Sequence, residues 1–354
     1  MKLKTASLAL AFLPLAAHAE GEVRYDKGFV IQDGDAYKLK LGGRVQTRYQ
    51  LLSADMGDAD RENSQHFAIQ RARIKASGTV LDPKLSFSFQ ADFGKGFVTL
   101  KDFYTTYKLA DGVELQAGQY KRPYSRHQIT SSGDLTFVDR SPTDKVLPTG
   151  RDIGVQIGSG RHGQPVEWEL GVFNGTGDGT KLNPTKGSFS NVPADFQPAV
   201  VARTAYNHGK MKGYSEADLE GGPLRAAVGL NVHANLNATN DEDPMLVAGL
   251  DVALKAQGFA FLAEAHRDVD AKFNAFFGQA GYLLAERYEP ALRFSLIKPD
   301  EGDAKTQEIA AGVSVYFFGH NAKWQTDFAL LTEDDGVADP TTDHELRSQF
   351  QLAF

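Results

Sequence analysis

The sequence predicts an all-β chain, a transmembrane antiparallel β-barrel of sixteen strands with one loop folded inward. Three observations point there. Residues 66–130 alternate in character: Arg71, Arg73 and Lys75 share one strand face against Ala72, Ile74 and Ala76, and Leu85, Phe87, Phe89, Ala91 and Phe93 lie opposite Ser86, Ser88, Gln90 and Asp92. Beyond residue 19 no stretch approaches the roughly 18 consecutive apolar residues of a membrane helix, and the mean hydropathy is -0.35. The last run, His344 to Phe354, puts Leu346, Phe350, Leu352 and Phe354 on one face and Arg347, Gln349 and Gln351 on the other.

Taken in order, the chain opens on a secretory leader over residues 1–19. Lys2 and Lys4 make a basic start, Ala6 to Ala17 an apolar stretch, and Ala17-His18-Ala19 a cleavage site. Residues 20–36, charged and broken by Gly28 and Gly34, read as a short periplasmic lead-in. The barrel is expected over 37–354. Leu39, Leu41, Val45, Tyr49 and Leu51 alternate with Lys38, Lys40, Arg44, Arg48 and Gln50, and Ser53 to Ser64 then reads as an acidic loop.

The same alternation places strands near 37–51, 66–80, 84–94, 97–109, 113–121, 152–160, 166–174, 197–207, 224–236, 245–256, 258–267, 273–286, 288–299, 305–319, 321–333 and 344–354. Short links (Leu81 to Lys84, Ala110 to Gly112, Gly319 to Asn321) alternate with longer ones (Gly175 to Phe196, Thr332 to Asp343), the habit of a barrel with unequal rims. Tyr49, Phe93, Tyr107, Trp168, Tyr206, Tyr282, Tyr288, Phe317 and Trp324 fall on the apolar face near strand ends, as interfacial aromatic girdles do. A soluble β-sandwich with aromatic core would share the alternation. The signal-like start and the final strand closing on Phe354 favour the barrel, since such a strand resembles the signal read by the outer-membrane barrel assembly machinery.

Composition removes other classes. There is no cysteine, hence no thiol chemistry, disulfide framework or Cys-based zinc site. The formal charge is -7, without the basic footprint of a nucleic-acid binder. No H-E-x-x-H, G-x-S-x-G or P-loop pattern occurs. Gly175-Thr176-Gly177-Asp178-Gly179 reads as a surface turn, and Ser125 with His127 is a poor hydrolase pair because both belong to the inward loop. No enzyme, cofactor or metal is expected.

Several segments resemble the phosphate-selective porin O and P family. They are Gly28-Phe29-Val30-Ile31 with Leu41-Gly42-Gly43-Arg44-Val45-Gln46, Gln70-Arg71-Ala72-Arg73, Gly118 to Ser125, Phe137 to Ser141, Gly150 to Val155 and Gly171 to Gly175, in that order. The resemblance is strong over residues 28–177 and architectural beyond. It implies an outer-membrane porin of a Gram-negative bacterium, usually trimeric, whose third long loop narrows the lumen. Here that constriction loop is Arg122 to Arg151. The implied role is passive diffusion of small hydrophilic solutes, favouring anions such as phosphate. Implied partners are small anionic solutes, outer-membrane lipid and, through Phe354, the assembly machinery.

An anion path needs cations along a narrow wet wall, and Arg suits it because its fork serves phosphate or carboxylate and stays charged. Arg44, Arg48, Arg71, Arg73 and Lys75 have inward parity on adjacent strands, and Arg122, Arg126, Arg140, Lys145 and Arg151 lie in or beside the loop. The alternative is that these charges pair with Asp92, Asp102 or Glu114, and that Arg140 and Arg151 clamp the loop. Gln70 stands where family members often carry Arg, and Glu167 and Glu169 share the predicted lumen face. A general porin, or a barrel used as adhesin or scaffold, therefore stays open.

Overall fold

The computed structural model describes residues 22–26, 28–57, 59–96, 98–175, 182–183, 188–189, 198–209, 211, 213–236 and 246–354. The leader expected over 1–19 and most of the loop expected over 175–196 lie outside the described residues. A hairpin, β1 (Glu22–Tyr25) and β2 (Phe29–Asp33), precedes the long strands β3 (Tyr37–Met56) and β4 (Ala59–Val80). Then come β5 (Asp82–Asp92), β6 (Thr99–Ala110), β7 (Val113–Lys121), β8 (Arg151–Gly158) and β9 (Val166–Phe173). A two-residue ladder, β10 (Leu182–Asn183) with β11 (Ser188–Phe189), stands apart from the main sheet. The second half is β12 (Ala199–His208), β13 (Arg225–Asn235), β14 (Leu246–Ala256), β15 (Phe259–Asp268), β16 (Phe273–Tyr282), β17 (Tyr288–Pro299), β18 (Lys305–Tyr316), β19 (Ala322–Asp334) and β20 (Thr341–Ala353).

Sixteen of these strands, β3–β9 and β12–β20, each pair antiparallel with the next, β9 pairing with β12. β20 then pairs with β3 from His344↔Ser53 to Ala353↔Arg44, which closes the sheet. Closure leaves no spanning edge whose backbone groups would go unpaired in lipid. The side chains are inverted relative to a soluble protein. Ile74, Phe103, Leu230, Leu292 and Ile309 are more than half exposed, while Arg203, Asp251, Glu264, Arg293 and Glu308 are buried. An apolar outer face and a polar interior are what lipid outside and water inside select.

Both ends of the strand array meet at one rim. There β2 pairs with the start of β3, Phe29↔Leu41 to Asp33↔Tyr37, so the 20–36 lead-in carries a hairpin that extends the wall. The Phe354 N–H donates to Gly43 O at 3.0 Å, and Gly43 N–H donates to Phe354 O at 2.8 Å. The Phe354 ring lies over Gly43, where a Cβ would sit 2.7 Å from the ring edge. Deleting Phe354 removes both of these hydrogen bonds and that ring. The expected result is a fall in heat-modifiable barrel recovered from outer membranes with export unimpaired. Wild-type recovery would refute it.

Two expectations need correction. Ser53 to Ser64 is not a loop: Ser53↔Asn63 and Ala54↔Glu62 continue the β3–β4 ladder beyond the barrel. Arg61 holds this extension, donating to Ser53 O and Thr342 O, both at 2.7 Å. Secondly, β4 does not keep one parity from 66 to 80. The register steps from Gln46↔Arg71 to Thr47↔Ile69, so Gln70 is the extra residue of a β-bulge. Gln70 and Arg71 consequently both line the interior. The bulge re-aims the strand at the point where the lumen is narrowed.

Candidate permeation site

The segment between β7 and β8, residues 122–150, turns into the lumen and carries two short helices, α1 (Arg126–Ile129) and α2 (Thr143–Val146). Ser125 caps α1, its hydroxyl accepting from Gln128 N–H at 3.1 Å. Lys121 donates to the carbonyls of Gln128, Ile129 and Thr130, and Arg140 to those of His127, Gln128 and Thr130. Two cations thus cap one helix end, where cations are favoured.

The loop is fixed at both its root and its tip. At the root Tyr120, Tyr124 and Leu147 pack with Phe173, Val201 and Val247 of the wall. At the tip Phe137 packs with Ala291, Ala310 and Ala329, whose small side chains leave room for the ring, and Arg293 stacks over it at 4.5 Å. Asp327 Oδ2 accepts from Val138 N–H at 2.8 Å, Lys323 donates to Leu135 O at 2.7 Å, and Ser314 donates to Thr136 O at 2.9 Å. These anchors come from strands remote from β7, so the loop spans the lumen.

A second loop, between β12 and β13, rises from the rim that holds the termini. Met211 packs with Phe277 and Leu262, and Tyr214 accepts on its carbonyl from Thr130 Oγ1 at 2.6 Å. Glu216 accepts from His127 Nδ1 at 2.6 Å and from Thr136 N–H at 2.8 Å. Ser141 N–H donates to His127 Nε2, which makes Nδ1 the protonated nitrogen. The two loops meet and fill the lumen against β12–β17 and against the terminal-rim halves of β18 and β19. Sequence reasoning missed this element. Its signal was a sixteen-residue gap between predicted strands on the rim whose other links are short.

Beside β4, among the described residues, lie two cavities. The one towards the far rim has a volume of about 820 Å³ and is lined by β3, β4, β18–β20 and loop residues 139–145. The one towards the terminal rim, about 570 Å³, is lined by β4–β9 and by Ile129, Ser131 and Ser132 of the loop. β4 is the strand common to both: Arg71 faces the upper cavity and Arg73 the lower.

The ten candidate cations are therefore distributed unequally. Arg48, Arg71, Arg140 and Lys145 line the upper cavity, and Arg73, Lys75 and Arg151 the lower. Arg44 lines neither and donates to Ser131 Oγ and Ser132 Oγ. Arg122 and Arg126, expected to face the path, also line neither cavity. Arg122 is buried against His233, Thr149 O and Asp152, and Arg126 stacks on Tyr214 at 4.4 Å. Both lie on the side that the two loops fill.

Counter-charges are close. Arg48 meets Asp139 at 2.6 Å, Arg71 meets it at 3.6 Å, Arg73 meets Asp92 at 2.7 Å, and Arg151 holds Asp102 with two hydrogen bonds of 2.8 and 3.1 Å. Glu114 pairs instead with His162. Lys75 makes no hydrogen bond or ion pair among the described residues. Burial would raise the Asp139 carboxyl, but Arg48 and Arg71 outweigh it and hold it well below the usual carboxylate range. The stability this lends is in place above the ordinary value near pH 4 and is lost only as pH falls through the depressed one. Arg140 is lowered, by burial first and by Arg151 and Arg73, against Asp144 and Glu216.

Charge balance differs between the cavities. Five cations and five carboxylates line the upper one, whereas five cations face three carboxylates in the lower. The excess positive charge lies at and below the crossing on β4.

Comparison with known proteins agrees with this architecture. The family model for phosphate-selective porin O and P matches residues 39–354. The anion-selective porin from Comamonas acidovorans superposes with a TM-score of 0.59 at 13% identity, covering 89% of this chain and 99% of that one. The outer membrane channel DcaP of Acinetobacter baumannii gives 0.60 at 13% identity, covering 92% and 99%. An uncharacterized protein of Aquifex aeolicus is 23% identical over 98% of this chain and 99% of its own length.

Proposed function

Since the chain belongs to the phosphate-selective porin O and P family, we propose that this outer-membrane channel passes small hydrophilic solutes with a modest preference for anions. The observation that carries the reading is the crossing on β4. There Arg71, on the upper cavity, and Arg73, on the lower, occupy successive inward positions about 6.6 Å apart along a strand, and the cavity that Arg73 lines has more cations than carboxylates. That spacing is below the roughly 8 Å screening length at physiological salt, so an anion leaving one cation still feels the next. The balanced upper cavity argues for a modest preference rather than an exclusive one. Under a potassium chloride gradient across a planar bilayer, the reversal potential of the purified protein is expected to have the sign of chloride permeation. A potassium-selective wild type would overturn the reading.

Association into trimers is part of the same proposal. Trp324 Nε1 donates to Ser348 Oγ at 2.9 Å, and Ser348 Oγ lies 3.0 Å from Thr326 Oγ1, on the outward face. Hydrogen-bonded to one another, these groups are tolerated on the outer wall, and the proposed trimer would place a neighbouring barrel over them. Unheated protein is expected to migrate on a denaturing gel at about three times the mass of heated protein. Migration of a single barrel under mild extraction would count against it.

A further inference from the structure

We infer that the lower cavity selects anions that also carry hydroxyl groups, such as sugar phosphates or polyhydroxy carboxylates, over bare anions of equal charge. The inference rests on the anion-channel reading and specifies its solutes. The cavity has two chemically distinct parts. Arg73, Lys75 and Arg151 supply the charged part, with Lys75 free of partners among the described residues. Around them, with Lys121, Arg161 and the carboxylates of Asp102, Glu114 and Glu169, stand hydroxyls and amides drawn from five neighbouring strands, including Ser77, Ser86, Gln90, Tyr104, Tyr120 and Gln156. Water alone needs no such groups, since any polar lumen is wet.

Tyr120 and Gln156 carry the argument further. They are only 3% and 7% exposed, and neither the Tyr120 hydroxyl nor Gln156 Oε1 has a hydrogen-bond partner among the described residues. Gln90 Oε1 is in the same condition. Buried polar groups are normally paired, and leaving one unpaired is costly. Here three such atoms belong to side chains lining one cavity. These atoms are closed off from solvent in this conformation, so a solute reaches them only once the side chains turn towards the cavity. One with several hydroxyls then offers donors for the two amide oxygens and an acceptor for the phenol, whereas chloride and acetate cannot complement all three. A volume of about 570 Å³ lies within the roughly 300–1,000 Å³ range of small-molecule sites.

The test is block of chloride current through the native protein in a planar bilayer. Glucose 6-phosphate is compared with inorganic phosphate, and gluconate with acetate. In each pair the hydroxylated anion is expected to half-block at about a tenfold lower concentration, equivalent to about 1.4 kcal/mol. Tyr120→Phe combined with Ser77→Ala is expected to bring the two members of each pair together. A preference in only one pair assigns the site to phosphates or to carboxylates and supports the inference for that class. Equal half-blocking concentrations within both pairs, in a channel that is anion-selective, would overturn the inference alone. A cation-selective wild type would overturn the reading beneath it.

Discussion

Replacing Arg71 and Arg73 together by alanine is expected to move the reversal potential strongly towards cations. A unit charge about 4 Å from a passing ion contributes about 1 kcal/mol even at the dielectric constant of bulk water, and about 1.4 kcal/mol is a factor of ten. Loss of both cations is therefore expected to lower the chloride-to-potassium permeability ratio by about an order of magnitude. The change is reinforced because Asp92 loses the guanidinium that meets it at 2.7 Å. The variant should still fold. Asp92 keeps hydrogen bonds from Ala72 N–H and Gly94 N–H, and Asp139 keeps Arg48. Arg73→Lys, which retains the charge and loses the planar fork, should shift the potential far less. Equal shifts in the alanine and lysine variants would mean that geometry, not charge, sets the selectivity.

The second large effect is expected at the tip of the constriction loop. Phe137→Ala empties the space among Ala291, Ala310 and Ala329, and truncating a buried Phe costs about 3–5 kcal/mol. The sheet is not touched, because Phe137 belongs to no strand of the barrel. The loss thus falls on the attachment of the loop. Single channels of the variant are expected to show higher conductance and more open-channel noise, with unchanged heat-modifiability of the barrel. The remaining anchors from Lys323, Gln325 and Asp327 keep the loop inside, so conductance should stay below that of an empty barrel. Conductance and noise equal to wild type would show that the polar anchors alone hold the tip.

The barrel was legible in the sequence because each strand's chemistry is local. Val166 to Phe173 reads outward and inward in strict alternation, with Glu167 and Glu169 inside and Trp168 outside, and the structure repeats it. Long-range features were hidden. The bulge at Gln70 has no glycine or proline to announce it, and it arises from how β4 must pair with β3. The extension at 53–64 has the sequence of a loop because its acidic residues face water on both sides, which removes the alternation that marks a strand. The fate of Arg122 and Arg126 could not be seen from their own segment. It depends on His233, Asp152 and Tyr214, and on a second loop meeting the first. By contrast Arg71, Arg73 and Lys75 were found by parity alone, since the wall that carries them is regular below the bulge.

On the proposed path ions cross the lumen beside β4 at Arg71 and Arg73, away from the side against β12–β17 that the two loops fill. The chain has no cysteine, so a single introduced thiol reports its own position. Arg73→Cys places one at the crossing, and Val201→Cys places one in the apolar cluster at the loop's root, where the native side chain is fully buried. An anionic, membrane-impermeant thiol reagent added during bilayer recording is expected to reduce the current of Arg73→Cys channels within minutes and to leave Val201→Cys channels unchanged. Rapid modification at Val201→Cys with no effect at Arg73→Cys would put the path on the opposite side of the barrel and contradict the account.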